Sequence, residues 1–77
     1  MNEIPMDKIL RGERAEVVYL KPGGDIRRRL LEIGFSPGSE IKCIGSSPFG
    51  DPRAYFVKGA VFAIRNKDAE TVIVRCL

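Results

Sequence analysis

The stretch Asp25-Ile26-Arg27-Arg28-Arg29-Leu30-Leu31-Glu32-Ile33-Gly34-Phe35-Ser36-Pro37-Gly38 decides the fold, because a helix, its stop signal and a turn follow one another within it without a gap. The Asp25 carboxylate is placed to cap the helix by accepting a bond from a free backbone N–H, and Gly34 supplies the left-handed conformation that ends it. Pro37-Gly38 then turns the chain into a strand. Successive helical residues lie about 100° apart, so Ile26, Leu30 and Ile33 share one narrow sector while Arg28 and Glu32 point away from it. Leu31 sits off that sector beside Arg27, an apolar side chain that the core does not require. An apolar group flanked by arginines is the composition favoured in interface centres, which makes Leu31, Arg27 and Arg28 candidates for contact with a partner.

Outward from the helix, the signals are those of strands. On the N-terminal side, Ile4 to Leu10 is an apolar patch punctuated by Pro5, expected to pack across one end of a barrel. Arg14 to Leu20 contains Val17, Val18 and Tyr19 and reads as a first strand, ended by Lys21-Pro22-Gly23-Gly24. On the C-terminal side, Glu40 to Gly45 alternates Ile41 and Cys43 inward with Lys42 and Ile44 outward. A loop follows from Ser46 to Pro52, with Phe49 near its tip between two prolines, readable equally as a plug for the barrel or as an exposed contact. Arg53 to Lys58 carries Tyr55 and Val57 on one side, Gly59-Ala60 reverses it, and Val61 to Arg65 returns with Phe62 and Ile64 inward. Asn66 to Glu70 is a single helical turn with an Asx residue at its start. Thr71 to Cys76 is a closing β-branched strand.

The fold class that follows is mostly β: a small, partly open barrel of about five short strands, with one short helix inserted between the first and second, since near closure removes vulnerable sheet edges. A chain of 77 residues is a single domain spanning 1–77, and at that length folding buries only roughly 60% of the surface the unfolded chain exposes. The core must therefore be small. With 44% hydrophobic and 30% charged residues the composition is that of a folded domain rather than a disordered segment.

Function is bounded mainly by what is missing. There is no histidine, which removes the commonest general base and the usual activator of a Ser or Cys nucleophile. The carboxylates are spread singly, so no enzyme activity is expected and no cofactor is called for. Without histidine the two-His-one-carboxylate ferrous triad cannot be built. Asp51, Asp68, Glu70, Cys43 and Cys76 could in principle converge on a divalent metal, but nothing in their spacing predicts it. Cys43 and Cys76 are too far apart for a C-x-x-C motif and read as reduced strand residues.

Glycines 23, 24, 34, 38 and 50 match no phosphate-binding pattern and are assigned to turns. The net charge of +3 permits an anionic partner without demanding one. Arg27, Arg28 and Arg29 fan across about 200° of helix surface, so they cannot grip one flat nucleic acid together, and no aromatic residues interleave them. No apolar run approaches the roughly 20 residues that cross a bilayer, and no basic segment leads into a hydrophobic one, so a cytoplasmic protein without membrane insertion is expected.

The run Leu30 to Gly38, followed by Gly50-Asp51-Pro52, Gly59, Ala63-Ile64-Arg65 and Ala69, resembles the ferrous iron transport protein A (FeoA) family over nearly the whole chain. Arg11 stands before Gly12 where that family often has Pro, and Phe49 stands where Leu is common. The resemblance implies an SH3-like β-barrel with an inserted helix. It also implies a non-enzymatic cytoplasmic accessory of ferrous iron uptake, a protein-interaction module acting on the FeoB-type membrane GTPase and iron transporter, held at the inner face of the membrane through that partner. Arg27, Arg28, Leu31 and Phe49 are then the candidate contacts. Two other readings stay open: an SH3-like barrel that binds nucleic acid, and a stand-alone regulatory module like the C-terminal domain of iron-dependent repressors. The chain has no helix-turn-helix and so is not itself such a repressor. Its oligomeric state is left open.

Overall fold

The computed structural model describes residues 2–77. Six strands form one antiparallel sheet: β1 (Glu3–Pro5), β2 (Arg14–Leu20), β3 (Glu40–Ser46), β4 (Arg53–Val57), β5 (Ala60–Ile64) and β6 (Val72–Cys76), in the order β1-β6-β2-β3-β4-β5. The helix α1 (Gly24–Ile33) lies between β2 and β3, and the single turn α2 (Asn66–Ala69) between β5 and β6. The strand expected to open the chain at Arg14 is thus the second of six. The N-terminal apolar patch contains the extra one, in which Glu3, Ile4 and Pro5 pair with Arg75, Val74 and Ile73 of β6. A three-residue strand ending in proline has no local signal strong enough to announce it, because only its long-range partner makes it a strand.

Closure of the barrel is not found: β1 and β5 are the two edges of the sheet order, and no ladder joins them among the described residues. The sheet bends instead at two register shifts, between Val17 and Tyr19 against β6 and between Cys43 and Gly45 against β4. Such bulges add curvature and twist. Met6, Ile9, Val17, Leu30, Phe35, Ile41, Cys43, Tyr55, Val57, Val72 and Val74 are all buried within the resulting core. The alternation read for β3 and β4 holds, with Ile41, Cys43, Tyr55 and Val57 inside and Lys42, Ile44 and Phe56 outside.

The helix ends as its sequence dictates but begins differently. Gly34 has φ +131°, and its N–H donates to the Leu30 carbonyl at 3.1 Å, as does that of Phe35 at 2.9 Å. The turn delivers Phe35 into the core, edge-on to the Tyr55 ring with centroids 6.3 Å apart. A side chain at position 34 would also meet Lys58, whose Cγ lies 2.5 Å from where a Cβ would stand. At the other end the cap position is Gly23, with no side-chain cap bond. Asp25 is inside the first turn and not at the cap, where it meets the positive end of the helix dipole and approaches Arg28 at 3.7 Å. The helix starts two residues earlier than the capping pattern suggested because the glycine pair accepts the backbone angles that the entry requires.

Two polar clamps tie distant segments together. Arg53 at the start of β4 donates to the carbonyls of Asp7 and Ile9, the latter at 2.6 Å, and its guanidinium stands 3.4 Å from the Cys43 Sγ. The short 3-10 turn Met6–Lys8 is thereby fastened over the sheet. At α2 the expected Asx cap by Asn66 is replaced by Asp51, whose Oδ1 accepts the Asn66 N–H at 3.0 Å across 15 residues of sequence. The Asn66 amide is turned to donate to the Gly50 carbonyl at 2.9 Å.

Candidate interaction surface

A groove of about 220 Å³ opens between the helix α1 and the end of β5, bordered also by Asp68 of α2. Its walls are Ile26, Leu30 and Ile33 from the helix and Ala63 and Ile64 from the strand, with Arg29, Arg65 and Asp68 also lining it. Ile26, Leu30 and Ile33 are the apolar sector read from the helical period. Only Leu30 is fully buried, while Ile26 and Ile33 remain half-buried, so the stripe is not entirely covered by the chain's own core.

The strand wall of this groove is a free sheet edge. Val57 pairs with Ala60 across the two-residue turn Lys58-Gly59, where both residues have positive φ (52° and 83°), the type I′ geometry that matches strand twist. In such a hairpin the pair flanking the turn is hydrogen-bonded and the pairs then alternate. Ala60, Phe62 and Ile64 therefore bond to β4, while the backbone groups of Val61 and Ala63 face the open edge. Both residues are exposed, and among the described residues neither backbone takes part in another hydrogen bond. Sequence reading passed over this feature, although Ala60-Val61-Phe62-Ala63-Ile64 contains none of the charges or prolines that usually blunt an edge strand. The opposite edge is blunted: β1 is three residues long and carries Glu3 and Pro5.

No hydrogen bond or ion pair among the described residues joins Arg27, Arg28, Leu31 and Phe49 to one another. Arg27 and Arg28 are exposed on the outer side of α1, and Arg28 faces Asp25. Leu31 is not a spare apolar group: it is half-buried and packs against the core. The helical wheel missed this because the core reaches around α1 beyond the Ile26-Leu30-Ile33 sector. Phe49 is 96% exposed, so it is no barrel plug. It projects from a loop braced by Ser47, whose hydroxyl donates to the Asp51 carbonyl at 2.7 Å and accepts the Asp51 N–H at 3.1 Å.

The remaining chemistry is quiet. Tyr55, fully buried, has its hydroxyl pushed up to about 12 by loss of solvation, against a partial opposing pull from Arg53. It stays protonated and donates weakly to the Met6 carbonyl at 3.4 Å. No group of three or more His, Cys, Asp and Glu gathers among the described residues. Both cysteines are free thiols, Cys43 buried and Cys76 exposed. Among the described residues no helix is long and apolar enough to cross a membrane.

Against known proteins, the chain matches the sequence model of the FeoA domain over residues 4–76. It is 28% identical over 72 residues to an Fe(2+) transport protein A/Fe(2+) transporter FeoB fusion protein of Porphyromonas gingivalis, a match that covers 94% of this chain but only 8% of that protein. Among solved structures, the FeoA protein of Chlorobium tepidum superposes with a TM-score of 0.89 at 30% identity, covering 96% of this chain and 70% of that one. FeoA of Stenotrophomonas maltophilia, solved in complex with zinc and described as a procaryotic SH3 domain protein, gives 0.82 at 28% identity, covering 91% and 87%. The glycine and proline punctuation, the inserted helix and the six-stranded sheet thus coincide with a family match over nearly the whole length: the chain belongs to the FeoA domain family.

Proposed function

We propose that this chain is a non-catalytic accessory of ferrous iron uptake that works by binding the cytoplasmic GTPase region of an FeoB-type membrane transporter. The observation that carries the reading is the Porphyromonas gingivalis protein, in which a segment similar to this chain is joined to FeoB in one polypeptide. Covalent joining raises the effective concentration of two modules to about the millimolar range, which is useful only if they act on one another. The absence of histidine and the lack of a clustered donor set among the described residues support a role by contact rather than by chemistry. Ferrous ion is, in this reading, the transporter's cargo and not a ligand of this chain.

The test is a calorimetric titration of the chain into the purified soluble domain of the FeoB-type transporter, in the GDP state and with a non-hydrolysable GTP analogue. Saturable binding in at least one nucleotide state is expected. No heat and no NMR shift changes in either state at about 1 mM, an affinity floor near −4 kcal/mol, would refute the partnership.

A further inference from the structure

We infer that β5 accepts an additional strand from a protein partner, an extended segment that carries both apolar and acidic residues on the face turned to α1 and lies along the free edge beside that helix. The identity of the partner as the transporter's soluble domain rests on the function proposed above; the mode of binding does not. Four observations converge. The N–H and C=O groups of Val61 and Ala63 point outward, unpaired and exposed, as a template for two further pairs of ladder bonds. The edge has no charge, proline or bulge to prevent pairing, whereas the β1 edge has both a charge and a proline.

Beside the edge, the groove of about 220 Å³ offers the incompletely covered Ile26 and Ile33 to alternate side chains of an incoming strand. The charge of the groove selects the occupant. Arg29 has no ion-pair partner among the described residues, and the only carboxylate in the lining, Asp68, is already approached by Arg65 at 3.9 Å. An acidic residue on the added strand supplies the missing counter-charge. A second copy of this chain does not: antiparallel β5-to-β5 pairing would bring the arginine-bearing rims together, and Ala60–Ile64 has no acid to offer.

The decisive experiment follows the backbone amides of Val61 and Ala63 by NMR and hydrogen exchange in the intact chain, titrated separately with the FeoB-type soluble domain and with a synthetic ten-residue peptide in which Val and Glu take turns at every second position, on one face, and Thr fills the positions between. Exchange at both amides is expected to slow at least tenfold in the presence of either ligand. Val61→Pro removes an edge N–H that β4 does not use, and it should weaken binding at least tenfold while leaving the amide spectrum of β2, β3 and β6 in place. Arg29→Glu, on an exposed helix position, provides a second variant should the proline disturb folding, and it should weaken binding of the acidic peptide by a similar factor.

If the soluble domain binds but the two amides and both variants behave as in its absence, the added-strand mode is overturned while the partnership stands. If the peptide protects the edge and the soluble domain does not bind, the partnership fails and the mode stands. Self-association of the chain that Val61→Pro abolishes would make a second copy the occupant and overturn the choice of an acidic partner. No protection by either ligand overturns the inference outright.

Discussion

Gly34 shows how one residue settles several things at once. Its φ of +131° lies where an L side chain is strained, and its hydrogen atom occupies the space beside the Lys58 stem. Gly34→Ala is expected to lower stability by about 1–3 kcal/mol, chiefly through backbone strain because the lysine stem can swing aside. Urea denaturation checks this, and adding Lys58→Ala should restore only the smaller, steric part.

Tyr55 gives a second prediction at the same scale. Its folded-state pKa of about 12 lies above the ordinary 10, so the folded chain holds the phenolic proton more tightly than the unfolded one. The associated stability is whole below pH 10 and drains away as the pH climbs from 10 through 12, by about 2–3 kcal/mol at most. Tyr55→Phe should flatten that limb of the stability curve relative to the native chain, with the lysine titration common to both. An unchanged slope between pH 10 and 12 would contradict the burial-driven shift.

Among elements, the N-terminal turn depends most on one distant side chain. The Arg53 guanidinium serves the carbonyls of Asp7 and Ile9, and the buried Met6 and Ile9 flank the segment it holds. Arg53→Ala leaves these acceptors without their charged donor and is expected to cost about 2–3 kcal/mol. Arg53→Lys should recover only part of the loss, because an ammonium cannot reproduce the planar fork. Hydrogen exchange would localise the damage to β1 and the turn after it, sparing the β4–β5 hairpin.

The same elements show what a sequence can and cannot reveal. The end of α1 was legible because glycine reports local backbone angles. Gly59 likewise marked the reversal before β5, but the turn is Lys58-Gly59 and not Gly59-Ala60, because Lys58 itself takes a positive φ and Ala60 already pairs with Val57. The alternation of β3 and β4 was legible because burial on one face repeats every second residue. Strand β1 was hidden because Ile4 and Pro5 become a strand only by meeting Val74 and Ile73, more than 60 residues away in the chain. Leu31 was misplaced because a helical wheel shows direction but not how far the surrounding core extends. The groove walls were readable as apolar positions, but not that Ile26 and Ile33 would be left partly uncovered.

For the molecule as a whole, the open strand order predicts a gradient of local stability. Strands β6, β2 and β3 are each paired on both sides, whereas β5 is paired on one and its outward amides meet solvent. Amides of Val17, Ile41 and Val74 should exchange slowest, near the global unfolding limit, and those of Val61 and Ala63 orders of magnitude faster. Slow exchange at Val61 and Ala63 in the isolated chain would mean that the sheet closes after all. The two borders also differ in sequence: β1 carries Glu3 and Pro5, whereas β5 has neither charge nor proline, the contrast on which the added-strand inference rests.

The brace between Asp51 and Asn66 has an outcome of its own. A phenylalanine almost wholly in water is ordinarily found on a wandering segment, yet here Ser47 fastens the turn from within and Asn66 holds it from the neighbouring helix. The ring is thus displayed on a stiff mount. A protein that covers Phe49 gains its apolar area without first having to immobilise the backbone beneath it.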